Sequence, residues 1–506
     1  MPNNRTESVI KNSAASLLYK VVHMMIQFVI RTVFIHILGN EYTGVSGLFT
    51  DILQVLSVME LGLDSSMVYA LYKPLAQKDT KKISGLLLFY KKAFLVIGFI
   101  VLAAGMSLTP FLGYIVKDVP DISEDIRGIF LIYVLTSSFS YFFIYKAVLL
   151  RADQQSRIIS NCSAIVDLAE CVVEITLLVL FKRFYAYLIV RFIAVILRNL
   201  IINLLAVKRY PEYFGKSAEE LSIKEKRKLY RDLACLTVYN ISGVAINSTD
   251  SIFISAFVGT AEVAIIGNYT LIINSLQSVV GQVVNASKAS IGNLAATSNK
   301  DKQEVIFDRM NLISFWFVCI SSTCMMTLMN QFVGDIWFDV SYKIPESIIA
   351  ILIINFFIAI MVFPVESFRT ANGLFVQGWH RPAVMAVLNI VLDIYMGQRW
   401  GIIGIFLATS VSRLLTQVWF DPYLIYKFVF KKSPIKYYMK YTIYFLVTAL
   451  SCYTGATVCH QVHITNKFID FGCKLVIAIL ISHMYMSFFL IRRKLIPVLK
   501  NTWKRY

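Results

Sequence analysis

The stretch SAASLLYKVVHMMIQFVIRTVFIHIL, residues 13–38, is long enough to cross a membrane as a helix and is mostly apolar, yet it contains charges. Its first polar stripe, on one helical face, consists of Ser13, Ser16, Lys20, Gln27 and Arg31. Because a charge at the bilayer centre costs about 2.5–3.5 kcal/mol on insertion scales, we expect this face to turn to water or protein. The alternative is that Lys20 and Arg31 reach the membrane interfaces along their own stems, which does not explain the uncharged residues between them.

The composition of the whole chain is that of a membrane protein with many spans. Apolar residues make up 57% of the 506 residues and charged residues only 16%, with a mean hydropathy of +0.65. Apolar runs and turn residues predict fourteen helices, at 12–38, 44–72, 84–113, 127–150, 157–181, 184–207, 229–258, 262–292, 305–331, 346–376, 381–397, 400–427, 437–460 and 467–491. The predicted fold is therefore an all-α polytopic membrane protein. We expect the first run to be retained, because no small-residue cleavage site follows it.

The distribution of charge predicts the orientation in the membrane. If the N-terminus is cytoplasmic, the segments between spans that fall inside hold most of the 49 Lys and Arg residues, and the outer loops hold few. This bias predicts cytoplasmic N- and C-termini and accounts for the net charge of +18 without nucleic acid. The longest loop, 208–228, is also placed inside, where its basic residues either orient the chain or hold anionic headgroups.

The eight cysteines fall inside or at the ends of predicted spans, and their spacing predicts no disulfide framework. Cys459, His460 and His463 crowd one outer loop, but no fourth ligand accompanies them. We therefore expect no metal site.

A weak internal repeat divides the predicted helices. The run beginning at Arg31 aligns with the run beginning at Asp250, and Gly39 then aligns with Gly259. The offset separates the first twelve spans into two parallel sets of six, an architecture in which transporters place the substrate site between the halves. It predicts a six-helix lobe over 1–228 with the cytoplasmic loop 208–228, a second lobe over 229–427, a central cavity between the lobes, and two additional helices over 428–506.

The eighth predicted helix carries a second polar stripe, consisting of Thr270, Asn274, Gln277, Gly281, Asn285 and Lys288. Stripes on corresponding helices of two lobes predict one shared cavity, although small residues in such stripes also serve as helix packing contacts. We therefore predict that substrate binds to Lys20, Gln27, Arg31, Arg198, Asn274, Asn285 and Lys288.

Other charges lie within predicted spans. Arg198 shares a face of the sixth helix with Arg191, and the fifth helix carries Asp167, Glu170 and Glu174 along one face. On the tenth helix, Glu366 and Arg369 form either a self-neutralising pair or a site. For coupling of transport to a cation we predict the carboxylates Glu60, Asp64 and Asp250.

Four segments resemble one protein family. They are ILGNEYTGVSGLF (37–49), MELGLDSSMVYALYKPLAQKDTKKISGLLLFYKK (59–92), and RTANGLFVQGWHRP (369–382) with RWGIIGIFLATSVSRL (399–414). In order, spacing and placement they resemble the bacterial Wzx-type polysaccharide repeat-unit flippases, whose superfamily also holds multidrug and toxin exporters and the lipid II flippase. The resemblance covers nearly the whole chain.

The resemblance implies a flippase of the bacterial cytoplasmic membrane. Its substrate would be an undecaprenyl-pyrophosphate-linked oligosaccharide, moved to the outer leaflet for capsule, exopolysaccharide or O-antigen assembly beside a polymerase and glycosyltransferases. It also implies that Lys20, Arg31 and Lys288 meet the pyrophosphate. No cofactor is expected, and because GxxxxGK[ST] is absent from the sequence, a proton or sodium gradient or the membrane potential would supply the energy.

Two other functions compete with this one. A cation-coupled exporter of lipid II, drugs or other amphiphiles would have the same fold, but a site for cationic drugs favours acids over the bases of these stripes. A polytopic glycosyltransferase or polysaccharide polymerase would need a sizeable extramembrane loop with catalytic carboxylates. The predicted loops are too short for one, so we expect that the protein is not an enzyme.

Overall fold

The computed structural model describes residues 3–116, 122–153, 155–214, 221–223, 227, 229, 243–244, 248–297, 300–374, 376–378 and 380–492. These residues form helices and turns and no β-strand. The chain divides into two compact units, residues 1–264 and 265–506. The predicted boundary after residue 228 falls at a position outside the described residues and stays a prediction.

The first unit is built from helices that follow one another through short turns. They are α1 (Asn3–Leu38), α2 (Asn40–Leu56), α3 (Val58–Gln77), α4 (Thr80–Leu108), α5 (Leu112–Ile115), α6 (Ile126–Ile144), α7 (Ala147–Ala152), α8 (Ser156–Phe181), α9 (Phe184–Arg209) and α10 (Thr249–Phe257). Gly39 separates α1 from α2 with a φ of 92°, a backbone conformation that side chains disfavour. Asp79 and Asp125 cap α4 and α6 by accepting hydrogen bonds from first-turn N–H groups.

The second unit follows the same plan. Its helices are α11 (Thr260–Thr297, which begins in the first unit), α12 (Lys300–Gln331), α13 (Glu346–Ala371), α14 (His380–Leu415), α15 (Gln417–Leu424), α16 (Ile435–His460) and α17 (Lys467–Arg492). The predicted helices 381–397 and 400–427 meet at Gly401, where a φ of 56° kinks α14 between its two arms.

The structure confirms the predicted all-α polytopic fold. Ten helical segments of the described ranges are long and apolar enough to cross a membrane. The predicted helix 44–72 is divided at Ser57 into α2 and α3, and the predicted helix 127–150 continues after a break at residues 145–146 as α7. Of the predicted helix 229–258, the structure describes the end, as α10.

Aromatic residues form much of the core of the first unit. Phe49 of α2 contacts Phe130 of α6 edge to face, with ring centroids 5.0 Å apart, and both side chains are fully buried. A second cluster packs α4 against α6 through Phe94 and Tyr141, whose rings are stacked 6.4 Å apart. These two clusters pack α2 and α4 against different parts of α6.

Glu124, in the segment before α6, connects the ends of three helices. Its carboxylate accepts hydrogen bonds from the Tyr42 hydroxyl of α2, from Ser123 Oγ (2.9 Å) and from the Phe184 N–H of α9 (3.1 Å). Burial opposes ionisation, but these hydrogen bonds outweigh it and hold the pKa of Glu124 below its ordinary value. Glu124 therefore serves as an ionised structural link.

In the second unit, small residues bring α16 close to α12. Thr323 and Ser451 share a hydrogen bond of 2.8 Å between their hydroxyl oxygens, and both residues are fully buried. A Cβ atom at Gly455 would lie 2.7 Å from Thr323 Cγ2, closer than atoms approach without a shift. Small residues of this kind let helix backbones approach inside a membrane. The last predicted helix pair therefore packs on the unit through a close helix contact.

We expect Gly455→Val to destabilise the contact between α16 and α12, because overpacking of this kind costs about 1–3 kcal/mol. The midpoint of thermal unfolding, followed by tryptophan fluorescence in detergent, should fall. Gly472→Val is the matched control, since a Cβ at Gly472 of α17 would meet nothing within 4 Å. Equal midpoints for the two variants would contradict this description of the contact.

Candidate functional site

The structure keeps the first polar stripe on one accessible face of α1. Lys20 and Gln27 are exposed, and Arg31 and Ser16 are half-buried. The side chain of Ser13 lies outside the described residues. The predicted grouping of Lys20 and Gln27 on an exposed face is thus present in the described part of α1.

Arg31 holds the start of α11 in this structure. Its Nη2 donates a hydrogen bond to the carbonyl oxygen of Ala264, at 2.8 Å, in the first turns of α11. One of the five N–H donors of the guanidinium is therefore used for a backbone contact. The predicted contact of Arg31 with pyrophosphate stays a prediction.

Glycine allows the same part of α11 to lie against α2. A Cβ atom at Gly44 would clash with the carbonyl oxygen of Thr260, and one at Gly47 would lie 3.7 Å from Val263 Cγ1. Nearby, Ser248 Oγ donates to Gln54 Oε1 at 2.9 Å. Gly44 of the 37–49 motif thus serves a close helix contact within the first unit.

A buried network joins α1, α8 and α9 beside the stripe. Asp167 accepts hydrogen bonds from Tyr19 (3.2 Å) and from His23 Nδ1 (3.0 Å), and its Oδ1 lies 2.6 Å from Arg198 Nη2. The same Nη2 donates to Glu170 Oε2 at 2.8 Å. Arg198, a predicted substrate contact, is therefore paired with two carboxylates in this structure.

The network continues along α8 and α9. Arg191 donates to the Tyr187 hydroxyl at 3.3 Å and lies 5.6 Å from the centre of the Tyr133 ring. Glu174 is only 2% exposed and interacts electrostatically with Arg191. We refer to the following residues as the α8 cluster: His23, Asp167, Glu170, Glu174, Arg191 and Arg198.

The second polar stripe is only partly described. Asn274 is exposed on α11, whereas Thr270 Oγ1 donates to the Gly267 carbonyl of its own helix. The side chains of Asn285 and Lys288 lie outside the described residues. Their predicted contacts with substrate therefore stay predictions.

The predicted coupling carboxylates are likewise described in part. Asp250 lies half-buried in the first turn of α10. The side chains of Glu60 and Asp64 lie outside the described residues.

The second unit contains a buried polar group that the sequence analysis missed. Asn389 Nδ2 donates to Asp393 Oδ1 (3.3 Å) and to Thr409 Oγ1 (3.4 Å), and all three residues are buried. An Asn and an Asp four residues apart within an apolar run are the sequence signal that marks them. Asp393 is therefore an additional candidate for the coupling carboxylate.

Arg369 has a partner on another helix. The sequence suggested Glu366, on the same helix, as a partner of Arg369. In the structure, Arg369 Nη1 lies 3.0 Å from Asp421 Oδ1. Arg381 Nη2 lies 3.1 Å from the other carboxylate oxygen, Asp421 Oδ2. All three ion-pair partners are at most 5% exposed, so we assign them to structure rather than to substrate.

No protein-family model and no curated protein matches the sequence. Among solved structures, the lipid II flippase MurJ in an inward closed conformation matches 96% of this chain and 100% of its own, with a TM-score of 0.68 and 16% identity. A multidrug resistance MATE transporter of the MOP superfamily, inward-facing, matches 80% of this chain and 97% of its own at a TM-score of 0.55 and 12% identity. The Vibrio cholerae MATE transporter VcmN, in a bent form, matches 87% and 98% at a TM-score of 0.56 and 13% identity.

These matches establish the fold, which this chain shares with MurJ and MATE transporters. The three solved proteins are a lipid II flippase and two MATE transporters.

We expect Gly44→Val to separate the start of α11 from α2, because the added side chain collides with the Thr260 backbone. A cysteine introduced at Val263, which is 6% exposed, should then react faster with a maleimide in a chain without its native cysteines. Gly113→Val is the control, since a Cβ there would meet nothing within 4 Å. Unchanged reactivity in the Gly44 variant would show that this contact tolerates a side chain.

Proposed function

We propose that this protein is a flippase that moves undecaprenyl-pyrophosphate-linked oligosaccharide repeat units from the inner to the outer leaflet of the bacterial cytoplasmic membrane, by alternating access. The observation that carries the proposal is the first polar stripe, where Lys20 and Gln27 are exposed on a membrane-length helix and no acid shares the face. The fold shared with a lipid II flippase supports a lipid-linked substrate. The product would feed surface polysaccharide assembly.

The charge of the stripe suits the anionic part of such a substrate. A pyrophosphate diester carries about two negative charges, which cannot cross hydrocarbon unpaired. Arg31 offers a planar fork for phosphate oxygens, and Lys20 offers a compact point charge. In the proposal, Lys288 joins them from the second stripe.

The uncharged residues suit the sugars. Gln27, Asn274 and Asn285 each provide amide donors and acceptors, which match sugar hydroxyls without added charge. Binding through two or three shared cations and neutral amides also allows release at the outer leaflet, because no enclosed cage has to open.

One observation bears on the alternatives. An exporter of cationic amphiphiles with the same fold would be expected to bind them through acidic side chains on the exposed face. The charged residues of the first stripe are instead the bases Lys20 and Arg31. An exporter of lipid II or another lipid-linked substrate shares the pyrophosphate chemistry and differs in the sugar contacts. Transfer of different lipid-linked sugars by the purified protein separates these two.

The charge bias of the sequence supports cytoplasmic termini. Single cysteines introduced as Pro120→Cys and Val340→Cys should react with a membrane-impermeant maleimide in intact cells. Ala218→Cys should react only after the membrane is permeabilised, because loop 208–228 is placed inside. Labelling of position 218 in intact cells would refute this orientation.

Coupling to a proton or sodium gradient or to the membrane potential belongs to the proposal, with Glu60, Asp64 and Asp250 as the predicted carboxylates. Asp393 joins them because it is fully buried beside Asn389. The expected partners are the lipid-linked substrate and membrane lipids, together with a polysaccharide polymerase and glycosyltransferases.

Arg31→Ala should reduce flipping of lipid-linked oligosaccharide in proteoliposomes by about tenfold or more, since a hydrogen bond to a charged group contributes about 1.5–3 kcal/mol. Arg31→Lys should restore only part of the rate, because the charge remains and the fork is lost. The control is Arg183→Ala, at an exposed position before α9. Wild-type export of surface polysaccharide by Arg31→Ala cells would remove Arg31 from the site.

A further inference from the structure

The α8 cluster lies beside the first polar stripe and takes no part in the proposed contacts with pyrophosphate. Its three carboxylates, Asp167, Glu170 and Glu174, face two guanidinium groups, those of Arg191 and Arg198. With His23 neutral, the cluster therefore carries one negative charge in excess. Within membrane-spanning helices an uncompensated charge is strongly unfavourable, and uptake of one proton removes it.

The ion pairs indicate which carboxylate takes that proton. Arg198 is within ion-pair distance of Asp167 (2.6 Å) and Glu170 (2.8 Å), so each of these carboxylates has a cation at contact distance. Arg191 donates its hydrogen bond to Tyr187. Among the residues that the structure describes, Glu174 forms no hydrogen bond or ion pair and is 2% exposed. Glu174 is therefore the carboxylate of the α8 cluster that is buried and, among the described residues, has no cation within ion-pair distance.

The charged and titratable groups that interact with Glu174 are Asp167, Glu170 and Cys171 of α8, Tyr133 of α6, and Tyr187, Arg191 and Arg198 of α9. From α1, which also packs on α8, Tyr19 and His23 contact Asp167. Glu170 is the nearest acid in sequence, one helical turn away on the same face, and disfavours a second negative charge.

The exposed end of the cluster offers an exchange point with water. The His23 side chain is 40% exposed, and its Nδ1 lies 3.0 Å from the carboxylate of Asp167, which is 5% exposed. Asp167, Glu170 and Glu174 follow one another along one face of α8, at spacings of three and four residues, and Arg198 lies at contact distance from the first two. A proton that enters at His23 therefore meets polar groups along its way to Glu174.

We propose that Glu174, in place of the carboxylates named above for coupling, is the proton-binding site and that its proton is the coupling ion, an inference that rests on the proposed flippase function. His23 takes a proton from water, and the Glu174 carboxylate receives it and becomes a neutral carboxylic acid. Release reverses the step and returns the proton to water. The cluster changes by one charge and no other bond is made or broken.

The proton also has a route to the substrate stripe. Gln27 Nε2 lies 3.0 Å from His23 Nε2, so neutral His23 accepts a hydrogen bond from the Gln27 amide. When His23 passes through its protonated form, Nε2 becomes a donor, and Gln27 has to present its oxygen instead. Because Gln27 belongs to the first polar stripe, proton exchange changes a group that faces substrate.

Infrared spectroscopy of the purified full-length protein in lipid nanodiscs tests the site without a substrate. We expect a carbonyl band of a protonated carboxylic acid that titrates with pH and is lost in Glu174→Gln. Glu346→Gln, at an exposed position at the start of α13, is the matched control and should keep the band. Glu174→Asp should restore a titrating band, shifted in frequency. A band of full amplitude in Glu174→Gln would overturn the assignment.

Transport in proteoliposomes tests the coupling, with a polyprenyl pyrophosphate that carries one fluorescent N-acetylhexosamine as the probe. An imposed pH gradient should change the flipping rate of the wild type and of Glu346→Gln and leave that of Glu174→Gln unchanged. A wild type that flips the probe with no response to pH overturns the coupling and leaves the flippase function. A wild type that flips no lipid-linked sugar contradicts the flippase function, and the infrared band then decides the proton site.

Discussion

A charge inside a hydrocarbon layer has to be paired, hydrogen-bonded or turned to water, and the described part of this protein shows each of these solutions. In the second unit, Asp421 is 2% exposed and lies between Arg369 and Arg381. In the first unit, Arg198 lies within ion-pair distance of two carboxylates of α8, those of Asp167 and Glu170. Lys20 instead faces outward from its helix. We assign buried charges that have a partner at contact distance on another helix to structure, and charges that are exposed or have no such partner to function.

Close helix packing provides the scaffold that holds these charges in place. Gly455 lets α16 approach Thr323 of α12, and Gly44 lets the start of α11 lie against α2. Such contacts have no hydrophobic driving force within lipid, so they depend on the fit of small residues. The same geometry places Ala264 where Arg31 can donate to its carbonyl oxygen. Packing and polar contacts therefore support one another at the start of α11.

The proposed transport function and the proposed proton site meet on α1. One face of this helix exposes Lys20 and Gln27, and His23 reaches from it to Asp167 on α8. The hydrogen bond between Gln27 and His23 connects the exposed face of α1 to the α8 cluster. A single helix thus contacts both the face assigned to substrate and the cluster assigned to the proton, which is the arrangement that coupling requires.

The sequence by itself determined where most of the long helices lie, because membrane length and apolarity are local properties of a segment, but it did not show the breaks at Ser57 and at residues 145–146. The predicted span 467–491 corresponds to α17, and the predicted span 12–38 lies within α1. Helical periodicity likewise determined that Lys20 and Gln27 share a face. Only the tertiary structure decided the partners of the buried charges: Arg369 pairs with Asp421, 52 residues away, rather than with the nearby Glu366. Spacing along one helix cannot show which helices become neighbours, and ion pairs in a membrane form between neighbours.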